Sequence, residues 1–166
     1  MRGKRILDVG CGFGRDSKYF SEKGYDVLGV DASEEMIKLA KTHAPKAAFL
    51  VQDMLALHLG DRKFDGIWCC ASLLHIRKED APSVLKGLGD VLDDLGILFI
   101  SVKRGEGEVL KKYPDGTRRF FANYSDSELK RLVEQNGFVS LTEYVRNDSE
   151  NDTWISIFSR KAKRTR

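Results

Sequence analysis

Ile6-Leu7-Asp8-Val9-Gly10-Cys11-Gly12-Phe13-Gly14-Arg15 is the stretch whose reading decides the fold. A short, β-forming, mostly apolar run enters three glycines at every second position, and a helical pattern follows at once. The stretch therefore reads as strand, tight turn, helix. Glycine lets the backbone take a positive φ and approach a ligand closely, while the free N–H groups and positive dipole end of the next helix favour an anionic group. The spacing narrows the ligand. A dinucleotide fingerprint needs glycine or alanine three residues after its second glycine, and Arg15 occupies that position.

Outward from the turn, a helix is expected to run to Lys23 and stop at Gly24, before a second strand over residues 25–31 that ends on Asp31. Asp31 stands where α/β nucleotide sites carry a carboxylate for the two ribose hydroxyls. Its competing role, introducing the next helix, falls better to Ser33, with Glu34 and Glu35 in the first turn and Met36, Ile37 and Ala40 along one face. Residues 47–52 read as a third strand followed by Asp53-Met54, where an aspartate is also an ordinary turn residue. Residues 64–75, Phe64 to His75, read as a fourth strand running to the edge where a doubly wound sheet binds its ligands. His75 suits a catalytic role there, or a packing and capping one.

Asp80-Ala81-Pro82 opens a helix on which Ala81, Val84, Leu85, Leu88, Val91 and Leu92 repeat at helical spacing. Asp94-Leu95-Gly96 then turns into residues 97–102, an apolar fifth strand of the kind buried on both faces of a parallel sheet. Ser125-Asp126-Ser127-Glu128 is a capping box opening a helix that ends at Gly137, and residues 138–146 and 153–160 read as a terminal hairpin. The expected fold is α/β: a doubly wound, mostly parallel seven-stranded sheet with helices on both faces and a C-terminal antiparallel hairpin.

With 166 residues the chain is expected to form one domain, large enough to bury about 70% of its unfolded surface. Its apolar runs fall far short of the roughly 20 residues that span a bilayer, and Met1-Arg2-Gly3-Lys4-Arg5 offers no signal-peptide core, so a cytoplasmic protein without a membrane partner is expected. Cys11, Cys69 and Cys70 have neither disulfide nor metal spacing, and no metal site is expected. The net charge of +3 is uneven: residues 103–119 carry six Lys/Arg against three Asp/Glu, and residues 160–166 carry five basic residues and no acid, leaving the rest of the chain net acidic. A terminal basic tail, 161–166, is commonly just solvated. Residues 103–124 fit neither the helical nor the strand period. They hold a Pro114-Asp115-Gly116 turn, six cations and Tyr113, Phe120, Phe121 and Tyr124, and a loop of this length in a compact domain usually has a function.

Asp8-x-Gly10-x-Gly12-x-Gly14 resembles the first motif of the class I S-adenosylmethionine-dependent methyltransferases. With Asp31, Asp53, the stretch from Phe64 to His75 and the final hairpin, the resemblance covers nearly the whole chain. Gly12-Phe13-Gly14-Arg15-Asp16-Ser17 is similar to the turn of small stand-alone bacterial and archaeal members, among them tellurite-resistance-type and generic small-molecule methyltransferases. The resemblance implies a Rossmann-like fold, S-adenosylmethionine as cofactor and S-adenosylhomocysteine as product. It maps the adenine contacts onto Asp53 and the Met54 backbone, and extends the cofactor set to Asp8, Gly10, Cys11, Gly12, Gly14, Asp31, Ala32, Met36 and Ala71. Arg15, His75, Lys103 and Tyr124 are the acceptor-side, catalytic candidates, and 103–124 is the substrate-side insertion.

The resemblance also implies lid helices before the first strand, which this sequence enters by residue 5, so either residues 103–124 and a homodimer or partner subunit are expected to cover the site, or a natural N-terminal lid lies outside this sequence. The implied reaction is in-line methyl displacement on a small-molecule acceptor with an apolar or planar body and negative charge. RNA is the alternative acceptor, favoured by the basic loop and tail, and a non-catalytic cofactor-binding subunit is the third reading.

Overall fold

The computed structural model describes residues 3–148 and 152–162. The strands are β1 (Arg5–Val9), β2 (Asp26–Asp31), β3 (Ala48–Val51), β4 (Phe64–Cys70), β5 (Leu92–Lys103), β6 (Glu108–Lys112), β7 (Arg118–Ala122), β8 (Phe138–Asn147) and β9 (Thr153–Lys161). The helices are α1 (Arg15–Glu22), α2 (Glu34–His43), α3 (Ala81–Val91) and α4 (Asp126–Gln135). Seven strands form one sheet in the order β3-β2-β1-β4-β5-β9-β8, while β6 and β7 form a separate two-stranded sheet. Strands β1 to β5 pair in parallel, and β9 pairs antiparallel with both β5 and β8, giving the expected seven-stranded mixed sheet.

Strand alternation sorts the core. Leu7, Val9, Leu28, Val30, Ile67, Cys69, Leu98, Ile100 and Val102 pack on one face with Leu85 and Leu88 of α3 and Leu129 and Val133 of α4. The opposite face carries a smaller cluster in which Ile37 and Ala40 of α2 meet Phe49 and Cys11. Phe49 lies over Gly29 so closely that a Cβ there would sit 2.5 Å from its ring. On the same side a tier of rings runs outward from α1: Phe20 meets Trp68 edge-on, and Trp68 stacks on Phe99 with centroids 3.8 Å apart. All three cysteines are free thiols.

Four local expectations change. The fourth strand ends at Cys70 rather than His75, because Ala71 takes φ 56 and residues Leu73–His75 close into a 3₁₀ turn. Leu92 leaves α3 and pairs with Phe64, so the turn expected at 94–96 is an irregularity inside β5. Residues 103–124 are not a loop: β6 and β7 form a hairpin in which Tyr113 N–H donates to the Thr117 carbonyl, and Asp115 accepts from both Thr117 N–H and Oγ1. Lys161, expected in a solvated tail, belongs to β9 and donates to the Leu92 carbonyl at 3.1 Å; residues 163–166 of that tail lie outside the described residues. Among the described residues no helix is long and apolar enough to cross a membrane.

The cluster under α3 should dominate stability. Leu88→Ala, at a fully buried position, is expected to cost about 3 kcal/mol in denaturant unfolding, whereas Leu39→Ala, 55% exposed on α2, should stay within about 0.5 kcal/mol. Equal losses at the two positions would contradict this placement of the core.

Candidate active site

The sheet order reverses between β1 and β4, so the chain leaves their carboxyl ends toward opposite faces and a cleft opens between them. Gly10 and Cys11 N–H both donate to the Val30 carbonyl, at 2.8 and 3.0 Å, which ties the glycine turn to the end of β2. Gly10 has φ 68, and a Cβ on it would lie 2.3 Å from Ser72 Cβ. Ser72 Oγ in turn donates to the Val9 carbonyl at 2.7 Å, clamping the exit of β4 onto the exit of β1. Only glycine satisfies both the conformation and the closeness of approach. Above Gly12, by contrast, a Cβ would meet nothing within 4 Å, so the turn faces open space.

That space is a cavity of about 550 Å³ lined by Gly10, Gly12, Asp31, Ala32 and Met36 on the β1–β2 side, by Gln52, Asp53 and Met54 beyond β3, and by Ala71, Ser72, His75, Ile76, Arg119 and Phe120 on the β4 and hairpin side. Asp31 is aimed by two backbone donors: Gly12 N–H meets Oδ2 and Ser33 N–H meets Oδ1, each at 2.9 Å. Each carboxylate oxygen keeps a further lone pair for a ligand hydroxyl. Asp53 accepts from Leu55 N–H at 2.9 Å and so caps the short 3₁₀ turn that begins at Met54.

Three residues expected to bind cofactor lie behind this lining. Gly14 forms the left-handed entry to α1, and its N–H donates to the Cys11 carbonyl. Cys11 packs into the smaller core cluster, where burial pushes its thiol pKa up. Asp8, 3% exposed, accepts from Ser17 Oγ at 2.6 Å and holds α1 against β1. Burial raises the Asp8 carboxyl to about 7, against the opposing effect of the Ser17 hydroxyl.

On the acceptor side, His75 lines the cavity, and its Nδ1 sits 2.8 Å from the Phe120 carbonyl. A carbonyl only accepts, so Nδ1 carries the proton and Nε2 of the neutral ring keeps its lone pair. The other three candidates do not line the cavity. Arg15 Nε is bound to Asp16 at 2.7 Å, and Asp16 also accepts from Trp68 Nε1 at 2.8 Å. Lys103 Nζ is paired with Asp152 between the rings of Phe121 and Trp154. Tyr124 is 1% exposed in the main core, where burial raises its phenol pKa, and it is not part of the cavity wall. Ser72, Arg119 and Phe120 were absent from the expected set; the signals for them were the serine directly after the fourth strand's apolar run and the arginine-aromatic pair in the insertion.

A family model described as a methyltransferase domain matches residues 6–96. The ubiquinone biosynthesis O-methyltransferase of Coxiella burnetii is 32% identical over 152 residues, which cover 82% of this chain and 64% of that protein. The chain spans about half to just under two thirds of the length of the first curated relatives it matches. A SAM-dependent methyltransferase from Methanosarcina mazei superposes with a TM-score of 0.89 at 23% identity, over 98% of this chain and 94% of that one. The 1,6-didemethyltoxoflavin-N1-methyltransferase of Burkholderia thailandensis, solved with 1,6-didemethyltoxoflavin and S-adenosylhomocysteine, superposes with a TM-score of 0.82 at 25% identity, over 98% of this chain and 72% of that one.

The buried Asp8 carboxyl gives the stability a pH signature. Its folded-state pKa of about 7 lies above the unfolded value of 3.8, so the folded state binds the extra proton between these values and stability falls as pH rises through that window. Relative to Asp8→Asn, the wild-type protein should lose on the order of 3 kcal/mol of unfolding free energy between pH 4 and pH 8. Parallel pH profiles for the two proteins in urea unfolding would contradict the assignment.

Proposed function

Because the chain belongs to the methyltransferase-domain family, we propose that it binds S-adenosylmethionine in the β1–β4 cleft and transfers its methyl group to a small-molecule acceptor. The observation that carries this reading is the Asp31 carboxylate, held by Gly12 and Ser33 N–H at the wall of the cavity with lone pairs to spare for two vicinal ribose hydroxyls. The open space over Gly12 suits the amino-acid end of the cofactor, and Ala32, Met36, Asp53 and Met54 suit the adenosine end. The bound cofactor would supply an electrophilic sulfonium methyl and leave as S-adenosylhomocysteine.

The chain's own residues then orient and deprotonate the acceptor. His75 is the general base: its Nε2 lone pair accepts the proton of the attacking hydroxyl or amine, and the Phe120 carbonyl stabilises the resulting imidazolium through Nδ1–H. Phe120, Ile76 and Ala71 provide an apolar wall that excludes water while nucleophile and methyl are aligned. A small acceptor is favoured over RNA by the cavity, of a size that ordinarily holds small ligands, and by likeness to proteins whose names specify small-molecule acceptors.

Isothermal titration with S-adenosylhomocysteine should show one site, weakened at least about tenfold in Asp31→Ala through the lost ribose hydrogen bonds. Incubation with methyl-labelled S-adenosylmethionine and either a metabolite extract or total RNA should place label in the small-molecule fraction. Undiminished binding by the variant, or label confined to RNA, would overturn the proposal.

A further inference from the structure

The hairpin at the cavity mouth carries a charge arrangement that its own stability does not explain. In the β6–β7 register Lys111 faces Arg119 and Lys112 faces Arg118, two like-charged pairs directly across a two-stranded sheet. Facing like charges destabilise strand pairing. Among the described residues none of the four makes an ion pair: Asp115 attracts Arg119 only at longer range and accepts from Thr117, and Glu108 accepts from the Lys78 N–H. One facing pair is instead steadied by aromatic rings, with Lys111 over Phe121 at 5.4 Å and Arg119 over Tyr113 at 5.2 Å.

The same hairpin reaches the site. Arg119 and Phe120 line the cavity, and the Phe120 carbonyl holds His75. Other cations of the region are already neutralised: Arg15 by Asp16, Lys103 by Asp152 and Lys78 by Glu128. The positive charge beside the acceptor half of the cavity that is held in no ion pair is therefore concentrated on this hairpin.

We infer that the β6–β7 hairpin is the acceptor-reading element and that it selects a small acceptor bearing an anionic oxygen group, a carboxylate or phosphate, which binds at the facing Lys111–Arg119 pair. This rests on the proposed methyl transfer for the word acceptor, but not for the anion site itself. The bound anion relieves the repulsion across the hairpin, so acceptor binding and hairpin order reinforce each other, and the carbonyl that sets the His75 tautomer is ordered in the same step. A guanidinium beside an ammonium suits a planar carboxylate or a phosphate oxygen.

The test titrates the protein with benzoate and, separately, with inorganic phosphate, following backbone amides by nuclear magnetic resonance at low salt. Saturable shifts are expected at residues 111–112 and 118–120. Lys111→Glu gives Arg119 a carboxylate across the hairpin, so it should weaken anion binding at least about tenfold while raising the hairpin's amide-exchange protection severalfold; a folding defect would instead lower that protection. Benzoate and phosphate arms separate carboxylate from phosphate preference.

Unsaturable shifts with both anions, or undiminished anion binding by Lys111→Glu, would overturn the inference. So would a single-stranded oligonucleotide that outcompetes both anions with a log–log salt slope of about −0.7 for each of several phosphate contacts, a result that points to RNA. Titration of the wild-type protein with S-adenosylhomocysteine keeps the two readings apart. Anion binding without cofactor binding would sink the methyl-transfer reading and leave the hairpin site standing.

Discussion

The structure depends on how the exits of β1 and β4 are held against each other. Ser72 Oγ donates to the Val9 carbonyl, and the Gly10 backbone lies so close to Ser72 that a single methyl group would not fit. Such a close junction at the reversal of strand order leaves the carboxyl ends of the strands pointing into a shared cleft. The clamp also accounts for the early end of β4. To bring Ser72 over Val9 the chain must turn out of the strand at Ala71, whose left-handed conformation is unusual for a residue with a side chain and stores strain next to the site.

Two carboxyl groups beside the glycine turn, Asp8 near the end of β1 and Asp31 at the end of β2, illustrate how environment divides roles. Asp31 is partly exposed, receives two backbone N–H donors, and keeps capacity toward the cavity. Asp8 is buried beneath the same turn with one hydroxyl partner, and burial pushes its pKa up. In the proposed site Asp31 is left for the ligand, while Asp8 fastens α1 to β1. Across the cleft, Phe120 gives a backbone group rather than a side chain to His75, so the tautomer of that ring depends on the hairpin being in place.

The parts of this arrangement legible in the sequence are those whose cause is local. A glycine at alternate positions after an apolar run, an acid closing the next strand and a serine before Glu34 each encode their own geometry within a few residues. The mixed seven-stranded sheet followed from βα alternation and the terminal hairpin. What escaped was set by distant partners. Lys103 reads as a free cation until Asp152, 49 residues on, is folded against it. Tyr124 reads as a loop aromatic, but the bridge between Arg104 and Tyr124 draws it into the core beside Leu129 and Val133. The hairpin at 108–122 carries its turn signal in Pro114-Asp115-Gly116, yet runs of facing cations oppose strand pairing and mask its period. Arg15 was the avoidable case, since Asp16 beside it was already visible as a partner.

The most direct measurement is a crystal structure of the protein with S-adenosylhomocysteine. The account predicts ligand density in the cavity between β1 and β4, with both ribose hydroxyls about 3 Å from the Asp31 carboxylate, the adenine beside Asp53 and Met54, and the sulfur directed toward the wall formed by Ala71 and His75. Density for the ligand anywhere else, for example against the Trp68 and Phe99 rings on the far face of the sheet, or within the cavity but with its ribose remote from Asp31, would contradict it.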